Sequence, residues 1–500
     1  MTVVDNLMVG LETALTFQNL IYCLIGVTVG MVVGVLPGIG HLTAISLLLP
    51  LTFYAPVTAG LVMLAGIYYG AQYGGSIASI MINMPGTASS AVICLDGYPM
   101  TRQGKAGTAL IITTIASFVG SCIAILLLIM LSPPLARAAL SFHSADYFSM
   151  MALGLVAAGT LIQGSKFIGA ASVAVGLLLG IVGTDVSSGT MRFTFGAPQL
   201  FDGISIVVIA MAFFGVTEVM TSIGKVRDHA LNAKVTLRSM MPSRKDLAES
   251  RFPILRGSAV GSAVGILPGA GGGSMAAFMA YAVEKRLSRT PEKFGNGAIA
   301  GISAPEAANN AAAQSAFIPT LTLGIPGDAI MALILGALLV HGITPGPQVI
   351  ADSPELFWGL AVSFLVGNFI LLILNIPLMG VWVRLLRIPP TYLFPAITLF
   401  IAVGVYSVAN ISFDVFLVAG LGLIAYIMVA FGFEPAPLLL GYVLGPLIEE
   451  NFRRALLISR GDFMIFVERP ISAIFLVLSV LLVIWVVMGA RTPKTETKET

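Results

Sequence analysis

The sequence predicts an all-α polytopic membrane protein with about 10–12 crossings, in two inverted-topology repeats whose helices break at Pro-Gly turns or re-enter as hairpins. Three observations predict this. The composition is too apolar for water, the same broken-helix motifs occur twice in one order, and basic residues fall on opposite sides of equivalent segments. Of the 500 residues, 57% are hydrophobic and 10% charged, and mean hydropathy is +0.96. An ordinary soluble protein carries about 25% charged residues. A soluble fold could not hide this much apolar surface, so most of the chain is solvated by lipid. A secreted factor, a soluble enzyme and a nucleic-acid binder are excluded. Long continuous apolar runs, rather than alternating ten-residue segments, exclude a β-barrel. The net charge of +2 implies no bulk electrostatic partner.

The repeats carry most of the information. Gly34-Val-Leu-Pro-Gly-Ile-Gly40 returns as Gly265-Ile-Leu-Pro-Gly-Ala-Gly271, at an offset of 231. Asn83-Met-Pro-Gly-Thr87 returns as Gly324-Ile-Pro-Gly-Asp328, at an offset of 241. Asp96-Gly97 matches His341-Gly342, and Tyr147 matches Tyr392, both at 245. Four anchors in one order define a first transmembrane repeat over 18–222 and a second over 257–450. A basic stretch, 223–256, joins them, and an apolar run at 471–489 has no counterpart. Each repeat opens with an apolar segment broken at Leu-Pro-Gly, then one broken at Pro-Gly. Further apolar stretches follow at 107–131, 147–163, 168–184 and 202–222, and in the second half at 358–380, 392–408 and 413–431.

Basic residues set orientation. None precedes Arg102, so the N-terminus is expected outside, and Arg102 and Lys105 mark a cytoplasmic loop. The linker carries Lys225, Arg227, Lys234, Arg238, Arg244, Lys245, Arg251 and Arg256 against Asp228, Asp246 and Glu249, which places it in the cytoplasm. The first half therefore makes an odd number of crossings, and the second is inverted. The charges agree: Lys285, Arg286, Arg289 and Lys293 follow the second Leu-Pro-Gly, whereas 54–60 is uncharged. The counterpart of Arg102–Lys105, at 344–355, holds Asp352 and Glu355 and no base. Arg453, Arg454, Arg460 and Arg469 lie where simple counting expects the outside, which leaves the last crossing open.

Broken helices persist in lipid only where the freed backbone groups are buried in protein or line a wet cavity. Matched breaks in inverted halves point to a transport site near the midplane. The helix N-terminus after each break offers free N–H groups to an anion, and Gly38, Gly40, Gly269 and Gly271 allow close backbone approach. Asn83, Pro85, Gly86, Thr87, Ser89 and Ser90 form the polar second break, with Pro326, Gly327 and Asp328 as counterparts. The hydroxyls of the first break serve substrate contact or small-residue helix packing. Asp328 serves coupling to Na⁺ or a proton, or caps the following helix. Thr87 and Asn310 complete the candidate ion-coupling set. Asn309 and Asn310, with Gln314, line the cavity or bond between helices. Their counterparts at offset 241 are Tyr68, Tyr69 and Tyr73. Glu306 follows Pro305 and reads as a helix start. His41 has no ligand-spaced partner, and Cys23, Cys94 and Cys122 are too scattered for a metal or redox site. No metal site, other cofactor or catalytic residue is expected; Na⁺ is expected only as a coupling ion. No phosphate-binding Gly-x-x-x-x-Gly-Lys-Ser/Thr motif occurs, so transport energy comes from an ion gradient or a partner. An uncoupled anion channel is the alternative reading, and an intramembrane enzyme a third.

Seven segments in order carry a resemblance: Gly34-Val-Leu-Pro-Gly38, Tyr69-Gly-Ala-Gln-Tyr-Gly-Gly-Ser-Ile77, Asn83-Met-Pro-Gly-Thr-Ala-Ser-Ser90, Asp96-Gly-Tyr-Pro99, Gly265-Ile-Leu-Pro-Gly-Ala-Gly-Gly272, Ala304-Pro-Glu-Ala-Ala-Asn-Asn310 and Gly324-Ile-Pro-Gly-Asp328. The set resembles the large membrane subunit of tripartite tricarboxylate transporters, the TctA family, over nearly the whole chain. That resemblance implies a multi-pass permease of the bacterial inner (cytoplasmic) membrane. It implies as partners a small four-helix membrane subunit (TctB-like), a periplasmic solute-binding protein (TctC-like) and the lipid bilayer, with no nucleic acid. It implies import of small carboxylates, citrate-like tricarboxylates or dicarboxylates, driven by Na⁺ or protons, by a motion compatible with an elevator.

Overall fold

The computed structural model describes residues 3–36, 40–160, 165–185, 188–222, 240–267, 272–386 and 390–489. Gly38, Gly269, Gly271 and linker residues 223–239 lie outside the described residues. The described residues are helical almost throughout. Its first half runs α1 (Val3–Ala14), α2 (Phe17–Val35), α3 (Gly40–Leu48), α4 (Val57–Ile82), α5 (Cys94–Arg102), α6 (Ala106–Ala139), α7 (Ser144–Thr160), α8 (Lys166–Gly180), α9 (Ile206–Ala210) and α10 (Thr217–Ser222). The second half runs α11 (Arg244–Ile266), α12 (Gly272–Leu287), α13 (Ile299–Ser315), α14 (Phe317–Leu323), α15 (Ala329–Val340), α16 (Val349–Asp352), α17 (Pro354–Leu385), α18 (Pro390–Ala409) and α19 (Ser412–Ala430). α20 (Pro435–Ile458), α21 (Ile465–Glu468) and α22 (Pro470–Gly489) end it. Among the described residues the strands are the two-residue β1 (Gly183–Thr184) and β2 (Met191–Arg192), paired antiparallel.

Among the described residues, α2, α6, α17 and α19 are long and apolar enough to cross a membrane, and six shorter apolar helices accompany them. On α19 only 17% of the apolar window is buried. Its exposed Phe416, Leu423 and Ile424, with Leu399, Phe400 and Val403 on α18, form faces suited to lipid rather than water.

The chain forms two compact units. The first holds Met1–Leu140, Ser205–Leu267 and Gly271–Ile427, so it draws on both sequence halves. Its frame is two helix pairs held at backbone contact. In the α2–α4 pair, a methyl added at Gly26, Gly30 or Gly34 would overlap the carbonyl oxygens of Met63, Ile67 or Ala71. In the α11–α13 pair, Gly257, Gly261 and Gly265 meet the carbonyls of Ala304, Ala308 and Ala312 in the same way. These positions are related by the offsets 231 and 241 at every step. Small residues let helix backbones approach this closely, which is how helices gain packing energy in lipid. α11 and α12 are further joined by a bidentate ion pair, Arg256 Nε to Glu284 Oε1 at 2.5 Å and Nη2 to Oε2 at 2.8 Å.

The breaks also repeat in geometry. α2 and α11 end on Leu36 and Leu267, both in extended backbone. α4 and α14 end on Asn83 (φ 56°) and Gly324 (φ 70°), both left-handed. α13 differs from expectation: it begins at Ile299, so Pro305 lies within it and Glu306 is not a helix start. The physical reason lies on α5. The Asp96 carboxylate accepts the backbone N–H groups of Gly295 (2.9 Å), Gly297 (2.8 Å) and Ala298 (2.7 Å), and so holds the entry of α13 a turn and a half earlier.

The second unit holds Ser141–Ile204 and Met428–Thr500. α8 and α20 pack at backbone contact, with Gly176 and Gly180 against the carbonyls of Leu438 and Tyr442. Phe148, Phe452 and Phe466 form its aromatic core. Three of the basic residues that cluster after position 450, Arg453, Arg454 and Arg469, are tied into ion pairs here. Arg453 bridges Asp185 (3.0 Å) and Glu449 (2.7 Å), which also hold Arg192 at 2.8 Å each. Arg469 reaches the wholly buried Asp146 at 3.0 Å. Removing one partner of a buried pair strands the other charge, at about 3–5 kcal/mol. Arg469→Ala is therefore expected to lower the thermal midpoint in detergent well below that of Arg454→Ala. Arg454 makes only an exposed i,i+4 pair with Glu450, worth about 0.3–0.5 kcal/mol. Equal midpoints would contradict the assignment.

Candidate functional site

All the described candidate residues fall in the first unit. The Pro85-Gly86 turn packs against the end of α2: a methyl on Gly86 would overlap the Gly34 carbonyl. Gly327, its counterpart, faces the Gly265 carbonyl, with 3.4 Å to a methyl there. Each break is thus seated on the last glycine of its own half's glycine ladder. Asn83 and Pro85 are exposed, whereas Gly86, Thr87, Ser89, Ser90, Pro326 and Gly327 are buried. Gly40 opens α3 with φ 65° and open space around its α-carbon.

Both turns start a helix, and the chemistry differs between them. Thr87 N–H donates to Ser90 Oγ (3.1 Å), and Ser90 Oγ donates to the Thr87 carbonyl (2.8 Å). Asp328 Oδ1 accepts Met331 N–H at 2.8 Å, which makes it the N-cap of α15. Its other oxygen, Oδ2, accepts the Tyr68 hydroxyl at 3.1 Å. Asp328 therefore caps a helix and also meets α4 of the other half. Without Asp328 the α15 cap is lost, at about 1 kcal/mol. Asp328→Asn keeps an oxygen for Met331 and is expected to melt near the unaltered protein, while Asp328→Ala melts lower. An equal drop in both would mean that the charge, not the cap, holds α15.

A second cross-link runs the other way. Gln72 Oε1 on α4 accepts from Ser89 Oγ (2.8 Å), Thr87 Oγ1 (3.5 Å) and Asn309 Nδ2 on α13 (3.0 Å). Tyr68 and Asn309 are repeat counterparts at offset 241. Each reaches toward the turn of the opposite half, Tyr68 directly to Asp328 and Asn309 through Gln72 to Thr87 and Ser89. The N-terminus of α12 closes on the same place. A methyl on Gly272 would overlap Asp328 Oδ2, and one on Gly273 would overlap Asn309 Oδ1. The His41 ring stands 5.9 Å from that of Tyr68.

Several polar atoms here have capacity to spare. Asn309 Oδ1, Asn310 Oδ1, His41 Nδ1 and both polar atoms of Gln314 are buried without a hydrogen-bond partner among the described residues. Buried polar groups are nearly always paired, so the spare Asn309 Oδ1, beside Gly273 at the start of α12, is an acceptor that a ligand or water can complete. Asn310, grouped by sequence with Thr87 and Asp328, points elsewhere: its Nδ2 donates to Ser117 Oγ and to Glu306, at 3.0 Å each. Sequence reasoning left Gln72 out of the site. Its signal was a lone amide in a Gly- and Tyr-rich apolar run. Tyr68 was reachable through the 241 offset. Ser117, in the apolar α6, gave no signal.

The apolar helices, the repeated breaks and the buried polar cluster between them define a polytopic all-α membrane protein of transporter type. Residues 20–440 match the tripartite tricarboxylate transporter TctA family. The chain belongs to that family, and so is a membrane component of a tripartite transporter. It is 50% identical over 474 residues, 95% of this chain and 94% of the relative, to an Agrobacterium vitis protein described as the uncharacterized 52.8 kDa protein in the TAR-I ttuC' 3' region. It is 55% identical over 224 residues, 45% of this chain and 92% of the relative, to another from the TAR-II ttuC' 3' region of the same organism. No solved structure matches the chain.

Proposed function

We propose that this chain is the permease of a binding-protein-dependent secondary transporter in the bacterial inner membrane, importing small carboxylates down an ion gradient of Na⁺ or protons. Its partners in this reading are a small four-helix membrane subunit and a periplasmic solute-binding protein. The observation that carries it is the crossed linkage of the two breaks, Tyr68 to Asp328 and Asn309 through Gln72 to Thr87 and Ser89. One site assembled from equivalent positions of two halves is what alternating access between inverted repeats requires. The matching glycine ladders support the repeat, and the opposite charges of the equivalent loops support its inversion.

The chemistry suits a carboxylate. The starts of α3 and α12 present backbone N–H groups with the positive end of a helix dipole. Thr87, Ser89, Asn309 and Gln72 supply hydroxyls and amides that donate to, or orient around, an anion. Breaks of this kind hold anions without a buried Lys or Arg, which lets the substrate leave again.

The test is co-reconstitution of the chain and its small membrane subunit in liposomes, with the binding protein outside and a panel of labelled di- and tricarboxylates. Accumulation is expected to need both the binding protein and an inward Na⁺ or proton gradient. Passive equilibration without the binding protein would instead establish an uncoupled channel. Within the same assay, Thr87→Ala and Asp328→Asn are expected to abolish uptake while expression stays intact. Normal uptake by both would remove these residues from the site.

A further inference from the structure

Glu306 has no part in the site described above, yet it is the most unusual group in the first unit. It lies near the middle of α13 and is 1% exposed. Three helices supply its partners. Ser117 Oγ on α6 donates to Oε1 at 2.5 Å, the Ser76 hydroxyl on α4 donates to Oε2, and Asn310 Nδ2 donates to Oε1 at 3.0 Å. All three are neutral. No ion pair to Glu306 exists among the described residues. The titratable neighbour on α4, Tyr73, donates its hydroxyl to Asn368 Oδ1 at 2.6 Å rather than to Glu306.

A lone buried carboxylate at membrane depth is costly unless a cation joins it. Asp328 escapes that cost through a backbone cap and a tyrosine hydroxyl, so both its oxygens are committed. The Glu306 cage is built differently. Serine hydroxyls turn freely between donating and offering lone pairs. Asn310 Oδ1 is wholly buried and has no partner among the described residues. The carboxylate and the two hydroxyls, joined by the Asn310 amide oxygen once that amide turns its Oδ1 in place of its Nδ2 toward Glu306, supply an all-oxygen set, the chemistry that a hard cation takes.

Resting on the transport reading above, we propose that Glu306 is the carboxylate at which a monovalent driving cation, a proton or Na⁺, binds, with Ser76, Ser117 and Asn310 as its cage. The site lies next to the crossed linkage. Ser76 is one turn beyond Gln72 on α4, and Asn310 is the neighbour of Asn309 on α13. The same two helices therefore carry a cage residue and a linkage residue each. A cation that draws Asn310 and Ser76 inward shifts α13 and α4 together, and with them the groups that hold Thr87 and Ser89.

Two measurements test this. In the first, the thermal midpoint of the full-length chain in detergent is followed in NaCl against choline chloride, and between about pH 8 and 5.5, since a ligand that binds only the folded state raises it. The unaltered chain is expected to respond to Na⁺ or to protons, and Glu306→Gln to neither. Identical responses, or none in either protein, overturn the proposal whether or not transport has been observed. In the second, reconstituted Glu306→Gln is expected to lose gradient-driven accumulation by at least about tenfold while exchange of preloaded for external substrate stays within about threefold. Loss of both in correctly inserted protein makes Glu306 a structural knot and overturns the assignment. Should Glu306→Gln fail to insert, Ser117→Ala decides. It is expected to raise the half-saturating cation concentration severalfold and leave substrate KM at saturating cation unchanged, and an unchanged cation dependence counts against the cage. Wild-type protein that binds the cation through Glu306 but accumulates no carboxylate would sink the transport reading alone.

Discussion

Helix pairs held at backbone contact are the constraint on which the rest of this structure depends. In lipid, burying apolar side chains against each other gains little, because the solvent is equally apolar. Stability has to come from packing, and the glycine faces of α2 and α11 provide it by letting the carbonyl edges of α4 and α13 approach directly. Once those pairs are fixed, the ends of α2 and α11 are fixed too. The Pro-Gly turns then rest on the last glycine of each ladder.

The site follows from that frame. α4 and α13 each carry polar residues on the faces not used by the ladder, at spacings of one helical turn. Tyr68 on α4 reaches Asp328 in the turn of the opposite half, and Asn309 on α13 reaches Gln72, which holds Thr87 and Ser89 in the turn of its own half. The two halves are therefore joined at the candidate site by hydrogen bonds, one of them to the Asp328 carboxylate, rather than by ion pairs. Such bonds can be exchanged for bonds to a ligand at modest net cost, as the proposed transport site would require. The strong ion pairs are elsewhere: at Arg256–Glu284, and in the second unit around Asp185 and Asp146, where they lock structure.

Equivalence between the halves is geometric before it is chemical. Asn83 and Gly324 share a left-handed conformation, and Thr87 and Asp328 both start a helix from extended backbone. Their side chains differ. Tyr68 faces Asn309 in the alignment of repeats, Thr87 faces Asp328, and the acid Glu306 has the counterpart Ala65. Repetition builds the scaffold, and the departures from repetition give it a polarity that a symmetric site would lack.

The sequence by itself determined the solvent of the chain, its helical class, the repetition of its motifs and the positions of the Pro-Gly turns at 85–86 and 326–327. Those properties are local or compositional: apolar run length, Pro-Gly chemistry and motif spacing each act within a few residues. Thr87, Ser89, Asn309 and Asp328 were legible as candidate site residues because polar groups beside broken apolar helices are costly without a purpose. Only the tertiary structure decided which of them meet. Ser117 and Glu306 are separated by 189 positions, Gln72 and Asn309 by 237, and Tyr68 and Asp328 by 260. Helical periodicity assigns a residue to a face, but the register between two helices is set by how their surfaces interlock. That is why Asn310 turned to Glu306 instead of Thr87, and why Glu306 sits within α13, whose start is fixed by Asp96 from α5.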